Sequence, residues 1–188
     1  MESTETFEHA GYTVSIYYDR HAEDPREWDN LGTMACWHRS YNLGDGRLRD
    51  TIGRDDFSDV RTIVRYLQFT QRAEVILLGL IDHSGISMYV GGGAHACDPG
   101  GWDSGTVGII YATRETIISE YGDDSPTSRE MARKCMIGEV ETYDQFLIGD
   151  VYGYIVSDKD GTEVDSLWGL FGFDHAVSDA KDAAEHAA

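Results

Sequence analysis

The chain has 188 residues, 41% of them hydrophobic, with 34 acidic residues against 15 basic ones and a formal charge of −19 at pH 7. That length suits one domain of roughly 100–200 residues, and the apolar content is sufficient for a core, which excludes a disordered acidic tail. The shortage of basic side chains argues against direct DNA or RNA binding, and the longest apolar run, 75–81, falls well short of the roughly 20 residues of a membrane span.

Residues 1–10 are polar and acidic and read as a flexible N-terminus. Residues 12–18 alternate Tyr12, Val14, Ile16 and Tyr18 against Thr13, Ser15 and Tyr17, the period of a half-buried strand. A polar loop over 19–30 holds Pro25 and Trp28, a second strand covers 33–39, and the turn-rich stretch from Asn42 to Gly46 ends it. The spacing predicts a helix over 55–72, capped by Asp55 or Asp56, with Phe57, Val60, Val64 and Leu67 on one face. Residues 75–81 read as a buried strand that forms a hairpin with 86–90, followed by a flexible glycine-rich loop over 91–101 and a strand over 106–112.

Thr113 caps a short helix to Tyr121, and Ser125 or Thr127 starts a longer one to Ile148. Met131, Cys135, Met136, Val140, Tyr143 and Leu147 form its apolar stripe, interrupted at Gly138. Strands over 151–157 and 164–171 flank the Asp160-Gly161 hairpin signal. The expected architecture is α+β: a single domain over 11–177, with a mostly antiparallel sheet and two main helices packed on it, and a flexible or weakly helical tail over 178–188.

Only Lys134, Lys159 and Lys181 are lysines, and the acids are spread without a run of about five or six like charges. Acid excess of this kind fits a hydrated, halophilic surface, nucleic-acid mimicry, or an acidic metal site. Cys36, Cys97 and Cys135 are widely spaced and odd in number, which points to thiols in a reducing, cytoplasmic setting.

Long motifs run through the chain: Asp24-Pro-Arg-Glu-Trp-Asp-Asn-Leu-Gly-Thr-Met34 with Cys36, His38 and Tyr41-Asn-Leu-Gly-Asp45; Asp82-His-Ser-Gly85; Trp102-Asp-Ser-Gly-Thr-Val-Gly108; Glu139-Val-Glu-Thr-Tyr-Asp-Gln145; Gly149-Asp-Val-Tyr-Gly-Tyr154; and Asp165-Ser-Leu-Trp-Gly169. Together, over residues 13–172, they resemble a widespread uncharacterised family of proteins from tailed bacterial and archaeal viruses and proviruses. The resemblance implies an accessory protein and no particular reaction. With the lysine-poor acidity it points to a haloarchaeal virus or element.

Two kinds of site compete. As a binding module acting on a host protein, possible inhibition of host defence or nucleic-acid processing included, the chain would use Trp28, Trp102, Asp103 and Trp168 as aromatic and acidic anchors, with no cofactor. The alternative is a small enzyme or zinc protein. Cys97 would be the nucleophile, His83 its base and Asp103 or Asp82 the group orienting the imidazole. For zinc, Cys36 and His38 with His95 and Cys97 supply the Cys₂His₂ donor types, although the one-residue spacings differ from the usual Cys-x₂₋₄-Cys. No Walker loop, dinucleotide glycine motif, zinc-protease helix or serine elbow occurs, so the binding reading leads.

Overall fold

A computed structural model describes residues 3–47, 52 and 59–187. The fold is α+β with antiparallel-rich sheets, as expected, but the strands divide between two sheets rather than forming one. The sheets lie in two compact units, residues 1–24 with 145–188, and residues 25–144.

In the first unit the strands β1 (Glu5–His9), β2 (Tyr12–Tyr18), β8 (Val151–Ser157) and β9 (Glu163–Phe171) form an antiparallel sheet in the order β1-β2-β8-β9. Residues 5–9, within the segment expected to be flexible, therefore form a strand. Ala10 and Gly11 both take positive φ, 50° and 87°, which closes a tight hairpin pairing His9 with Tyr12. The tail takes the helical of its two expected forms, but the helix starts earlier: 15 residues, Phe173–Ala187, cover one face of the sheet. Ala176, Ala180 and Ala184 recur every fourth residue and are fully buried against Val14, Ile16, Tyr152, Tyr154 and Val156. Three alanines add little to a hydrophobic count, yet they let the helix backbone approach the tyrosines closely.

Gly153 carries a packing constraint. A Cβ there would lie 2.3 Å from the Trp168 indole and 2.9 Å from the Leu167 carbonyl oxygen. The indole can move, but the backbone carbonyl of a paired strand cannot. Gly153→Ala is expected to destabilise the protein by about 1–3 kcal/mol in chemical denaturation; a loss below about 0.5 kcal/mol would show that Trp168 does not lie flat on this strand.

The second unit holds a sheet in the order β4-β3-β7-β5-β6, from β3 (Thr33–Cys36), β4 (Gly46–Arg47), β5 (Glu74–Asp82), β6 (Ile86–Val90) and β7 (Ser104–Ala112). Among the described residues only the short β3–β4 pair is parallel. With it go α1 (Val60–Thr70), α2 (Arg114–Tyr121) and α3 (Pro126–Ile148), α3 belonging to this unit up to residue 144; Phe173–Ala187 is accordingly α4. Central strand β7 is buried on both faces: α1 brings Ile63 and Leu67 to Ile109 and Tyr111, while Ile110 and Met136 of α3 meet over Gly32.

Asp59 caps α1, its side chain accepting from the Thr62 N–H, and the caps proposed at Asp55 and Asp56, like Phe57, lie outside the described residues. The Thr113 and Ser125 caps are where the sequence places them. The inward face of α3 keeps Met136, Val140 and Tyr143 of the expected stripe but differs over its first half. Ser128, Ala132, Met136, Val140 and Tyr143 point inward, and Met131 and Cys135 are exposed. A seam that starts with serine and alanine is outweighed, in any hydrophobic count, by the larger residues beside it.

Two of the long motifs, over 24–45 and over 139–145, hold the chain together. The Arg26 side chain is 3% exposed and clamps Asp45 through two bonds of 2.7 and 2.9 Å. It also donates to Glu139 at 3.0 Å and to the Gly32 carbonyl at 2.6 Å. Glu139 in turn accepts from the Leu31 and Gly32 N–H groups, and Asp45 from that of Met34. One turn on, the Tyr143 hydroxyl accepts from the Gly44 N–H, and Asp144 from that of Met88. Glu139, Tyr143 and Asp144 of α3 thus fix two loops and strand β6, because buried backbone donors require such partners.

Candidate functional site

An open cleft of about 440 Å³ lies in the second unit. Trp37, His38 and Arg39 line it just after β3, Leu80 and Asp82 at the end of β5, and residues 102–107 at the start of β7. The sheet builds this arrangement directly. The Trp37 N–H donates to the Val107 carbonyl, and the Asp82 N–H to the Asp103 carbonyl at 2.7 Å, so the pairing of β5 with β7 continues past its last ladder step and sets Asp82 beside Asp103.

Each carboxylate faces an imidazole. Asp103 Oδ2 lies 3.0 Å from His83 Nδ1, and Asp82 Oδ2 lies 3.7 Å from His38 Nε2. His38 Nδ1 accepts from the Ser40 and Tyr41 N–H groups, so the neutral ring carries its hydrogen on Nε2, toward Asp82. The ring is also stacked on Tyr41. Trp102 stands at the rim with 90% of its surface exposed, and Trp37 is partly exposed beside it. Two indoles, two carboxylates and one guanidinium, that of Arg39, therefore converge on one open space.

The loop leading to Trp102, expected to be flexible, is held at many points. The Gly93 N–H donates to Thr106 Oγ1, the His95 N–H to Ser104 Oγ, and the Ser104 hydroxyl and Asp103 N–H both to Asp98 Oδ2 at 2.8 and 2.9 Å. Tyr89 lies over Gly79, where a Cβ would come within 2.1 Å of its ring, and its hydroxyl donates to the Gly93 carbonyl. The Asp103 N–H, and after it the Ser104 hydroxyl, hold the Asp98 carboxyl below the usual aspartate range. A depressed folded-state value means that this grip is complete above an ordinary aspartate pKa of about 3.9 and is lost as the pH falls through the folded value. Hydrogen-exchange protection of the Asp103 amide is expected to be constant from neutrality to about pH 4 and to collapse below it, while that of Ile110 persists; parallel loss at both would show that Asp98 does not hold the loop.

The sequence-derived pairings regroup here. His83 meets Asp103 as expected, but Cys97 is bonded to His95 (Sγ to Nδ1, 2.9 Å) and not to His83. Cys36 is buried with its sulfur against Gly108, and burial, followed by the charge of Asp45, pushes its thiol up to about 12. β3 ends at Cys36, so the alternation that would place His38 on the same face does not extend to it. Among the described residues no three His, Cys, Asp or Glu side chains gather as a metal-ligating group, so Cys36, His38, His95 and Cys97 do not converge.

Of the expected anchors, Trp102 and Asp103 share the cleft. Trp28 is partly exposed on the loop around Pro25, and Trp168 lies on β9 of the first unit, against Tyr17. Trp37 was not among the sequence candidates; its position between Cys36 and His38 in the motif was the available signal. Comparison of this chain with family models, with curated proteins and with solved structures finds no match.

Proposed function

We propose that the chain is a binding module that takes a basic segment of a partner protein, seating an arginine or lysine side chain among Trp37, Trp102, Asp82 and Asp103. The supporting observation is the Trp102 indole, 90% exposed on a firmly held loop, with the Asp103 carboxylate next to it and Trp37 and Asp82 lining the same cleft. A cation there is attracted by the ring faces and by two carboxylates at once. Arg39 opposes it with a single positive charge. A large indole kept out of the core and fixed beside polar groups is the type of residue that dominates interface energetics. The net charge of −19 steers basic partners toward the chain.

In the setting that the family resemblance implies, the chain is an accessory protein of a virus or provirus and the partner is a host protein. Proteins of host defence and nucleic-acid processing carry basic surfaces for phosphate, and an acidic, aromatic cleft competes for such a surface by the same chemistry. Among the described residues no helix is long and apolar enough to cross a membrane. In concentrated salt the ion-pair contribution is screened while stacking on the indoles persists, so the aromatic residues carry a larger share of the affinity.

Calorimetric titration with two peptides of equal length, one arginine-rich and one with glutamate in place of each arginine, tests this reading. The arginine peptide is expected to bind with an affinity that falls as salt rises, and the glutamate peptide not to bind. Equal binding of both, or of neither, removes the reading.

A further inference from the structure

The exposed thiol of Cys97 is separate from the cleft chemistry. Its sulfur lies 2.9 Å from His95 Nδ1, and the Cys97 backbone N–H also points at that nitrogen, at 3.3 Å. A nitrogen that accepts from a backbone N–H carries no hydrogen, so the neutral imidazole has its hydrogen on Nε2, and the Nδ1 lone pair faces both the Cys97 N–H and the closer thiol. The geometry is imposed from outside the pair. The Asp98 N–H donates to the His95 carbonyl, the His95 N–H donates to Ser104, and the Tyr89 ring meets the imidazole edge-on at 4.7 Å.

The other two cysteines are built the opposite way. Cys36 is buried, its thiol pushed up to about 12. Cys135 is exposed, but its thiol donates to Glu139, and partial burial, followed by that carboxylate, raises its pKa. One chain thus presents a thiol beside a base, a thiol beside an acid anion, and a buried thiol.

We propose that Cys97 is a thiol–disulfide exchange site, with His95 as its general base, that takes up small disulfides as a mixed disulfide. As the Cys97 sulfur attacks one sulfur of the disulfide, its proton passes to His95 Nδ1. The new S–S bond forms as the old one breaks, and the departing thiolate takes the proton from His95 and leaves as a thiol. The disulfide is the only co-reactant, and no net oxidant beyond it is needed. The acidic surface favours neutral or cationic disulfides over anionic ones.

The test is treatment of the full chain with 2-hydroxyethyl disulfide at neutral pH, with the adduct on each cysteine followed by peptide mass mapping. Cys97 should react about a hundredfold faster than Cys135, the low end of what a positioned general base supplies, and Cys36 should remain unmodified. His95→Gln should lower the Cys97 rate to that of Cys135 and leave Cys135 unchanged. In strongly alkaline buffer, where hydroxide removes the proton, the deficit of His95→Gln should vanish. Equal rates at Cys97 and Cys135 in the unaltered chain overturn the proposal whatever the variant does. A His95→Gln chain that reacts at the original rate, or whose deficit persists in alkali, overturns the role of His95 as base.

Discussion

Arg26→Ala is expected to cost about 3 kcal/mol of unfolding free energy, the low end of what breaking a buried ion pair costs. Arg26 is nearly inaccessible, and its removal leaves two carboxylates, Asp45 and Glu139, without their counter-charge beside a carbonyl that has lost its donor. The low end applies because Asp45 retains some contact with water, its side chain being 25% exposed. Arg26→Lys should recover only part of the loss, since one ammonium cannot reproduce the two-pronged contact with Asp45 and also reach Glu139 and Gly32. Adding Glu139→Gln to Arg26→Ala should cost less than the sum of the two changes, because it removes one of the stranded charges. Urea unfolding of the original chain, the three single variants and the double variant measures this; a loss below about 1 kcal/mol for Arg26→Ala would mean that the clamp is idle.

Trp102→Ala is the converse case, with a large effect on binding and almost none on stability. The indole is 90% exposed, so its removal opens no cavity, and the unfolding free energy should shift by no more than about 0.5 kcal/mol. Binding of an arginine-rich peptide should weaken at least tenfold, about 1.4 kcal/mol, as for an aromatic anchor at the centre of a contact. Asp103→Asn should cost less, because the amide keeps the shape and a hydrogen-bonding oxygen while losing the charge, and its effect should shrink as salt rises. The effect of Trp102→Ala should persist in salt. A Trp102→Ala chain that binds like the original would remove Trp102 from the interface.

Much of the fold is legible in the sequence wherever a single period dominates. The alternation of β2, the apolar run of β5, and the caps at Thr113 and Ser125 translate directly into elements. What stays hidden depends on small residues and on partners distant in the chain. The Ala176, Ala180 and Ala184 seam of α4 and the Ser128 and Ala132 seam of α3 bury little apolar area per residue, so larger but outward side chains mask them. The strand Glu5–His9 carries two glutamates and a histidine, and only its pairing with β2 makes it a strand.

The candidate site is half legible. Trp102 and Asp103 stand out because a tryptophan beside an aspartate in a glycine-rich stretch suggests exposure. Trp37 does not, because its position depends on where β3 ends and on the backbone bond from Trp37 to Val107. The pairing of Cys97 with His95 instead of His83 follows from the turn closed by the Asp98 N–H, a local geometry that residue spacing alone leaves open. Arg26, Asp45 and Glu139 lie in the motifs that carry the family resemblance, and in the structure their charges hold the loops, a role the sequence does not announce.

The four tryptophans provide the most direct test of the cleft as a binding site, because Trp37 and Trp102 line it, Trp28 lies on the loop around Pro25, and Trp168 lies on β9. Each indole N–H gives its own signal in a nitrogen–proton correlation spectrum. On titration with the arginine-rich peptide, the signals of Trp37 and Trp102 should move together along one saturating curve while those of Trp28 and Trp168 stay in place. Movement of Trp28 or Trp168 with Trp37 and Trp102 unmoved, or no movement at saturating peptide, would contradict the account.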